Sequence, residues 1–365
     1  MLKNIHAVLL VLLFVGNIAS AQTPGDRLIA GPKVAAVPSG PVAPAPPPVS
    51  RRAINVPGEI VTVRWLNPNL SDDVWILGDE AVNLTNDPDI HENVSFGPAG
   101  AIYFSREDPQ PGPVSEIWRL TGTGANQEQL TVNGVPDYHP SLSPDGTKMV
   151  WWSYLSGTPH LWIQDTDLSA PAVPLTSDPM TATFDPEFSP DGRAIVFNVS
   201  YNLGQTADIW IGVLNGARDA FTEMWSLTNR GFVAAEVDPT WSPDGTQIAY
   251  SSYDGPGVWF VEGIDPSFGL DWKIYTIDVD WVNRTGFHHK VLVSDNSTPD
   301  AVSWLPCYSP DGSRVAFIRS GFDPGAWPGP FFFGTDWSEL RVVRTDGSVD
   351  RPIRGTAGCY FFDWR

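Results

Sequence analysis

The sequence predicts an all-β repeat protein, and three observations support that prediction. The phrase Ser-Pro-Asp-Gly occurs at residues 143–146, 189–192, 242–245 and 309–312. A weaker copy, Gly-Pro-Ala-Gly, occupies residues 97–100. Each copy follows a bulky apolar residue and precedes a short apolar run of the kind that forms β-strands. A turn that recurs between such runs, at intervals of roughly 50 residues, indicates an array of one supersecondary unit.

The repeated unit is predicted to contain four strands. The second strand is the apolar run after the turn, and the third pairs an aliphatic with an aromatic residue, as in Leu161-Trp162. The fourth commonly ends in Leu-Thr, as in Leu175-Thr176. Pro-Asp-Gly suits the turn because proline presets φ, aspartate bonds its own backbone and glycine accepts a positive φ. The first strand ends on a bulky residue two places before the proline: Phe96, Leu142, Phe188, Trp241 and Tyr308.

The two ends of the repeat region together supply a sixth set of four strands. Residues 61–65, 74–75 and 84–85 match second, third and fourth strands and have no first strand before them. Residues 360–364 match a first strand, with Tyr360 in the place of Tyr308, and no further strand follows. We therefore expect a six-bladed β-propeller with four-stranded blades, closed by the C-terminal strand joining three N-terminal strands. Radial closure leaves only short, protected sheet edges.

The first 57 residues are expected to lie outside the propeller. Residues 1–21 combine a basic start, an apolar run and Ala19-Ser20-Ala21, which is the pattern of a cleaved secretory signal peptide. Residues 22–57 form a Pro-rich linker that we expect to be disordered, and the propeller is expected to occupy residues 58–365. The protein is thus predicted to be exported, either periplasmic or secreted.

The composition limits the classes of partner. The formal net charge is -20, and such a chain repels nucleic acid and anionic membrane surfaces. Beyond residue 21 no stretch approaches the roughly 20 apolar residues that a membrane helix needs. We therefore expect no nucleic acid partner and no membrane insertion, whereas the oligomeric state stays open.

Two segments carry a family resemblance. Residues 185–192, Asp-Pro-Glu-Phe-Ser-Pro-Asp-Gly, and residues 238–245, Asp-Pro-Thr-Trp-Ser-Pro-Asp-Gly, resemble the PD40, or WD40-like, repeats of TolB-like propellers. The resemblance covers residues 58–365 and implies a six-bladed propeller. PD40 repeats also occur in peptidase propellers and in some polysaccharide lyases, so the resemblance implies the fold more strongly than any chemistry.

Aromatic residues mark the predicted loops between second and third strands. Exposed aromatic clusters often mark binding sites, and tryptophan and tyrosine suit both protein hot spots and stacking against sugars. The alternative is that these side chains fold back as a small satellite core. The candidate ligand-binding residues are Tyr154, Tyr201, Tyr253, Trp259, Phe260, Trp272, Trp327, Phe332 and Trp337.

A second candidate site is a polar ring at one mouth of the channel. The residue just before the first strand is polar in four units, as Asn93, His139, Asp185 and Asp238. Carboxylate and amide oxygens are ligands for hard cations, so calcium in the channel is the one cofactor we consider. The alternative is that Asp185 and Asp238 make Asx turns before proline.

The only two cysteines, Cys307 and Cys359, each precede the bulky residue assigned to the first strand, Tyr308 or Tyr360. Matching positions on neighbouring blades make a disulfide plausible in an oxidising compartment. Two buried free thiols are the equal alternative, because Cα atoms must approach within about 7 Å for a bridge.

The sequence favours a non-catalytic protein that binds a protein or glycan through its aromatic loop face. It contains no Gly-x-Ser-x-Gly elbow, no His-Glu-x-x-His and no Walker loop. The alternative is a secreted polysaccharide lyase or glycoside hydrolase with its site at the channel mouth. That alternative requires histidine and acidic side chains to converge there.

Overall fold

The computed structural model describes residues 54–64, 72–107, 114–121, 126–201, 206–229, 235–253, 272–293, 301–321 and 337–365. In those residues every regular element is a strand except one short 3-10 turn, Pro98–Gly100. The described part contains no helix with the length and apolarity to span a membrane. The all-β prediction is confirmed.

The strands follow the predicted order. The first three are β1 (Ile60–Arg64), β2 (Asp73–Leu77) and β3 (Ala81–Asn83). Blade 1 contains β4 (Ile90–Phe96), β5 (Ile102–Glu107), β6 (Ser115–Thr121) and β7 (Asn126–Gln129). Blade 2 contains β8 (Asp137–Leu142), β9 (Lys148–Ser153), β10 (His160–Asp165) and β11 (Val173–Pro174). Blade 3 contains β12 (Ala182–Phe188), β13 (Ala194–Tyr201), β14 (Thr206–Leu214) and β15 (Phe221–Ser226).

The remaining strands complete the chain. Blade 4 contains β16 (Ala235–Trp241), β17 (Gln247–Tyr253), β18 (Trp272–Asp280) and β19 (Thr285–Val293). Blade 5 contains β20 (Ala301–Tyr308), β21 (Arg314–Gly321), β22 (Trp337–Arg344) and β23 (Arg351–Pro352). The last strand is β24 (Cys359–Trp364), which forms blade 6 together with β1, β2 and β3.

Blade 6 joins the two ends of the repeat region. Strand β24 pairs antiparallel with β1, with Ile60 opposite Trp364. The Trp364 indole donates to the carbonyl of Pro57 over 2.8 Å, and Val56 is buried against the same blade. Residues 54–57, which the sequence assigned to the end of the linker, therefore pack on the propeller.

The Ser-Pro-Asp-Gly turns owe their shape to side-chain hydrogen bonds. In the turn at residues 189–192, Ser189 Oγ donates to Asp191 Oδ1 over 2.7 Å and accepts from the Ala194 amide at 3.0 Å. Gly192 has a φ of +70°, which glycine adopts without steric cost. The other three copies repeat the serine–aspartate bond, at Ser143, Ser242 and Ser309.

The Leu-Thr motif has a structural role of the same kind. The Thr176 hydroxyl accepts the backbone N–H of Leu161 in the third strand of blade 2, over 2.9 Å. The hydroxyl thereby binds an amide at the edge of the ladder, where the fourth strand is short. Equivalent bonds are made by Thr85, Thr131, Thr228 and Thr356.

The hydrophobic core lies between neighbouring blades rather than inside any one of them. One cluster joins Trp152 of blade 2 to Phe184 and Phe197 of blade 3. The next joins Ile211 of blade 3 to Trp241 of blade 4. Each blade thus shares its apolar faces with its neighbours, and the first strands of all the blades meet at the centre.

Candidate functional site

Each first strand of blades 1 to 5 carries a bulge in which one residue adopts the left-handed conformation. The values of φ lie between +49° and +54°. Asparagine, aspartate and histidine tolerate this conformation better than other non-glycine residues. Backbone geometry therefore explains much of the polar pattern seen in the sequence. The bulged residues are Asn93, His139, Asp185, Asp238 and Leu305.

These bulges surround one cavity, which we call the channel. It encloses about 270 Å³ and is lined by the first strands of all six blades. The four polar residues predicted at the channel mouth all line it. The lining segments are residues 93–96, 139–142, 185–188, 238–240, 305–307 and 361–363.

His139 and Asp185 are in direct contact at the wall of the channel. Nδ1 of His139 lies 3.1 Å from Oδ1 of Asp185. With its amide oriented to satisfy both neighbours, Asn198 donates to Oδ2 of the same carboxylate over 2.8 Å. About a fifth of the His139 side chain, 22%, is exposed to the channel. The arrangement holds an imidazole beside a carboxylate at the wall of an accessible cavity.

A second layer of acidic side chains was missed by the sequence analysis. Glu187 and Asp363 lie two residues beyond the bulges of β12 and β24, and both line the channel. Glu187 Oε1 accepts the Trp241 amide of the next blade at 3.1 Å. Asp363 Oδ2 accepts the Phe96 amide at 2.7 Å. These carboxylates bind neighbouring blades together and also bring charge into the channel.

Burial determines the protonation of the channel groups. It raises the pKa of Glu187 to about 8, although the Trp241 amide opposes that shift. Burial also raises the pKa of Asp185 and of Asp238, and each carboxylate receives a backbone N–H from the next blade that opposes the shift. The pKa of His139 falls to about 4 for the same reason, so its imidazole is neutral near pH 7.

Asn93 differs from the other bulge residues in its hydrogen bonding. Its side chain lines the channel and only 7% of the residue is exposed. Among the described residues its carboxamide has no hydrogen-bond partner. Buried amides are normally paired, so this group is a donor and acceptor available to a channel ligand.

The cysteines do not form the disulfide that the sequence suggested, because both are free thiols. The structure matches Cys307 with Asp363, not with Cys359, and the Cys307 sulfur lies 3.7 Å from Asp363 Oδ1. Cys359 lies four residues earlier on β24, which corresponds to about 13 Å along a strand. Burial raises the pKa of the Cys359 thiol to about 11.

Two of the candidate aromatic residues contribute to the core. Tyr154 and Tyr201 pack against the cluster between blades 2 and 3. The Tyr201 hydroxyl accepts the Trp210 indole N–H over 2.8 Å. Burial raises the pKa of Tyr154 to about 12. The positions of these two side chains fit the satellite-core alternative.

The remaining aromatic candidates are placed differently. Tyr253 and Trp272 are opposite each other on β17 and β18, with ring centroids 5.9 Å apart, and both are partly exposed. Trp337 begins β22, and only its backbone is described. Trp259, Phe260, Trp327 and Phe332 lie outside the described residues.

Comparison with known proteins supports the TolB-like propeller that the repeats predict. A family model described as "PD40: TolB beta propeller domain" matches residues 83–261. The crystal structure of TolB from Acinetobacter baumannii matches with a TM-score of 0.60 at 20% identity, over 84% of this chain and 66% of that one. The chain is a TolB-like β-propeller with PD40 repeats.

A second solved structure shares this fold. A putative TolB from Agrobacterium tumefaciens matches with a TM-score of 0.54 at 15% identity, over 84% of this chain and 98% of that one. At this identity the likeness establishes the propeller fold and nothing about its ligands.

The sequence relatives are more varied in name. An uncharacterized protein of Agrobacterium fabrum is 28% identical over 61% of this chain and 68% of its own length. A TolB homolog of Chlorobium luteolum is 28% identical over 40% of this chain and 31% of its length. An uncharacterized peptidase of Bacillus subtilis is 28% identical over 49% of this chain and 28% of its length. The chain thus spans about a third or less of the last two relatives.

The described side chains do not make a metal site. No group of three or more histidine, cysteine, aspartate or glutamate side chains in that part of the TolB-like chain is arranged to hold a metal ion. The channel acids instead use oxygens to bind backbone amides of the next blade. Calcium in the channel stays a prediction.

Proposed function

We propose that this chain is an exported, non-catalytic binding protein that holds a segment of a partner protein at the mouth of its channel. The observation that carries the proposal is the 270 Å³ cavity to which the first strands of all six blades contribute. It is concave and contains a few convergent polar groups among apolar side chains, as ligand sites usually do. Export is inferred from the signal pattern in residues 1–21.

The channel chemistry favours binding. Glu187 and Asp363 already accept backbone amides, so their main task is to join the blades. Ser141 does the same for the Phe188 amide, over 3.2 Å. Side chains committed to the scaffold form a rigid wall, and rigid walls suit recognition because little order is lost on binding.

The names of two relatives fit a protein partner. One is a TolB homolog, and another, from Francisella tularensis, is a Tol-Pal system protein TolB that is 26% identical over 49% of this chain. From these names we take only the class of the ligand, which is a protein, and no particular partner. A glycan is the other class that aromatic rims accommodate, and the test below separates the two.

Site-directed photocrosslinking in the exporting host tests the proposal. A photoreactive phenylalanine replaces Phe361, which lines the channel. A matched control replaces Met224, which is 47% exposed on the outer strand β15. We expect a protein adduct at residue 361 and none at residue 224. Equal adducts at both positions, or none at either, would contradict a partner in the channel.

The loop face is tested by two further variants. Trp272→Ala should weaken formation of the residue 361 adduct with little change in the melting temperature, because Trp272 is only partly buried. Tyr201→Ala removes a core contact and a hydrogen bond, so it should lower the melting temperature. If both variants form less of the residue 361 adduct only in proportion to the stability that they lose, the aromatic loop residues do not take part in binding.

A hydrolase or lyase is the second candidate, and the His139–Asp185 contact favours it. A carboxylate 3.1 Å from Nδ1 orients an imidazole, which leaves Nε2 to act as a general base. This candidate predicts turnover of a peptide or polysaccharide substrate that His139→Ala abolishes while the chain stays folded. Such a result would replace the binding proposal, whereas adduct formation that His139→Ala leaves intact, without turnover, would support it.

A further inference from the structure

We propose, on the basis of the binding function above, that the channel recognises a cationic organic group, an alkylammonium or guanidinium, carried by the bound segment. Four carboxylates in two layers would face that group, and one amide would accept from it. These five side chains are Asp185, Asp238, Glu187, Asp363 and Asn93.

The charge of the channel wall is the first observation that supports binding of a cation. Four carboxyl groups line the described channel wall, and that wall contains neither lysine nor arginine. The one basic side chain in it, His139, is neutral near pH 7 because burial lowers its pKa to about 4. Each deprotonated carboxylate is therefore poorly compensated within the cavity, and a cation entering it would remove that imbalance.

Asn93 supplies an independent observation. It is more than nine-tenths buried, lines the channel, and has no side-chain hydrogen bond among the described residues. Its carboxamide is not among the fully buried unsatisfied groups of the described residues, so it can reach a ligand in the channel. Its carbonyl oxygen is an acceptor for an N–H of the same cation that the carboxylates attract.

The volume of the channel and its apolar side chains favour an organic cation. The cavity has the volume of about nine water molecules, which admits a long side chain but no helix. Phe361 and Phe362 line the same wall and suit the methylene stem of such a side chain. The two layers of carboxylates are two residues apart, or about 7 Å along a strand. The extended stem of a long cationic side chain can span that distance.

The pH dependence follows from the groups on the six first strands. These are Asn93 on β4, His139 on β8, Asp185 and Glu187 on β12, Asp238 on β16, Cys307 on β20 and Asp363 on β24. Burial raises the pKa of all four carboxyls, and Arg365 lowers that of Asp363 slightly. A cation binds the deprotonated forms, so affinity should increase from about pH 6 to about pH 8.

Calorimetry on the full exported chain tests the inference with defined probes. The probes are 1,5-diaminopentane, a short peptide bearing one lysine, the same peptide with glutamate instead, and calcium chloride. We expect the diamine and the lysine peptide to bind, and the glutamate peptide not to bind. Tighter binding of the peptide identifies a partner side chain as the source, and tighter binding of the diamine identifies a free polyamine.

Matched variants locate the site. Glu187→Gln keeps an oxygen for the Trp241 amide and should weaken both cationic probes at least roughly tenfold. Glu80→Gln changes an exposed acid in the turn between β2 and β3 and should leave binding unchanged. Asn93→Gly breaks no described side-chain hydrogen bond and suits the positive φ of this position, so it should keep the melting temperature and weaken binding roughly tenfold.

Three results would overturn the inference: no binding of either cationic probe, equal binding by the chain and its Glu187→Gln variant, or a response to calcium chloride alone. Each is distinguishable from failure of the proposed function. A residue 361 adduct that forms while cationic probes neither bind nor compete keeps the protein-binding proposal and removes only its charge selectivity.

Discussion

Gly146 lies where the turn of blade 2 meets the turn of blade 1, and replacing it tests how tightly the blades pack. A Cβ added at this position would lie 2.3 Å from Cγ of Pro98, with a second ring atom at 3.1 Å. The φ of Gly146 is +70°, a conformation that alanine adopts only at a cost. Gly146→Ala therefore introduces both backbone strain and a clash between blades.

Gly245 in blade 4 is the matched control. Its φ is +71°, yet its added Cβ would lie 3.9 Å from Pro190, which is an ordinary contact. The left-handed backbone costs both variants about 1–2 kcal/mol. Overpacking against Pro98 adds about 1–3 kcal/mol to Gly146→Ala alone. The difference between the two variants should therefore be about 1–3 kcal/mol.

Urea unfolding of the purified chain measures this difference, with the midpoints converted at a common slope. Gly146→Ala should unfold at lower denaturant than Gly245→Ala, which in turn should unfold below the parent chain. Equal losses would mean that the Pro98 ring moves aside freely, and the argument that neighbouring turns are in tight contact would fail. A smaller loss at Gly146 than at Gly245 would refute it outright.

Three further predictions rest on single contacts. Because burial raises the pKa of Glu187 from 4.5 to about 8, stability should be lost as pH rises between those two values and should level off above about pH 8; the part of the fall between about pH 7 and about pH 8 lies above the pKa of about 7 that Asp185 and Asp238 reach, so Glu187→Gln should flatten it, whereas a fall that Glu187→Gln leaves unchanged would place the titrating group elsewhere. Thr356→Val removes the hydroxyl that accepts the Leu340 amide at 3.0 Å and should cost about 1–3 kcal/mol in urea unfolding, far more than Thr222→Val at an exposed position; equal costs would refute the role of the hydroxyl. Thiol labelling of the unreduced chain should find two reactive cysteines after unfolding and slow labelling before it, and a chain that labels only after reduction would show that Cys307 and Cys359 are bridged.

The sequence predicted the blades well because their signals are local. Ser189 and Asp191 bond each other within one turn, and Thr176 bonds the blade that it ends. Such contacts leave a fixed residue spacing in every copy. The order of strands could therefore be derived from spacing alone, including the assignment of β24 to the blade of β1.

The register of the last strand could not be derived in this way. Strand β24 has no Ser-Pro-Asp-Gly turn after it, and its run of aromatic residues offers several alignments. Tyr360 was matched with Tyr308, whereas the structure matches Trp364. That shift of four residues led to the disulfide prediction and also hid the equivalence of Asp363 with Cys307.

The candidate site was partly predictable. Asn93, His139, Asp185 and Asp238 were found because a left-handed bulge favours the same few residue types in every copy. Glu187 was missed because its equivalents Ser95, Ser141 and Thr240 carry hydroxyls, so no carboxylate recurs at this position. Only the three-dimensional ring shows that these positions face one cavity.

The pairing of β1 with β24 also sets the order in which the chain can fold. Thr62 bonds the carbonyl of Tyr360, 298 residues away, and closing so long a loop in a disordered chain costs about 5 kcal/mol of entropy. That cost falls if the intervening blades assemble first and carry β24 to its partner. Strands β1 to β3 are made before the other described strands, and one edge of β1 stays unpaired until β24 has been made. The ring therefore closes only when β24 is present. A product that stops before β24 keeps the edge of β1 unpaired.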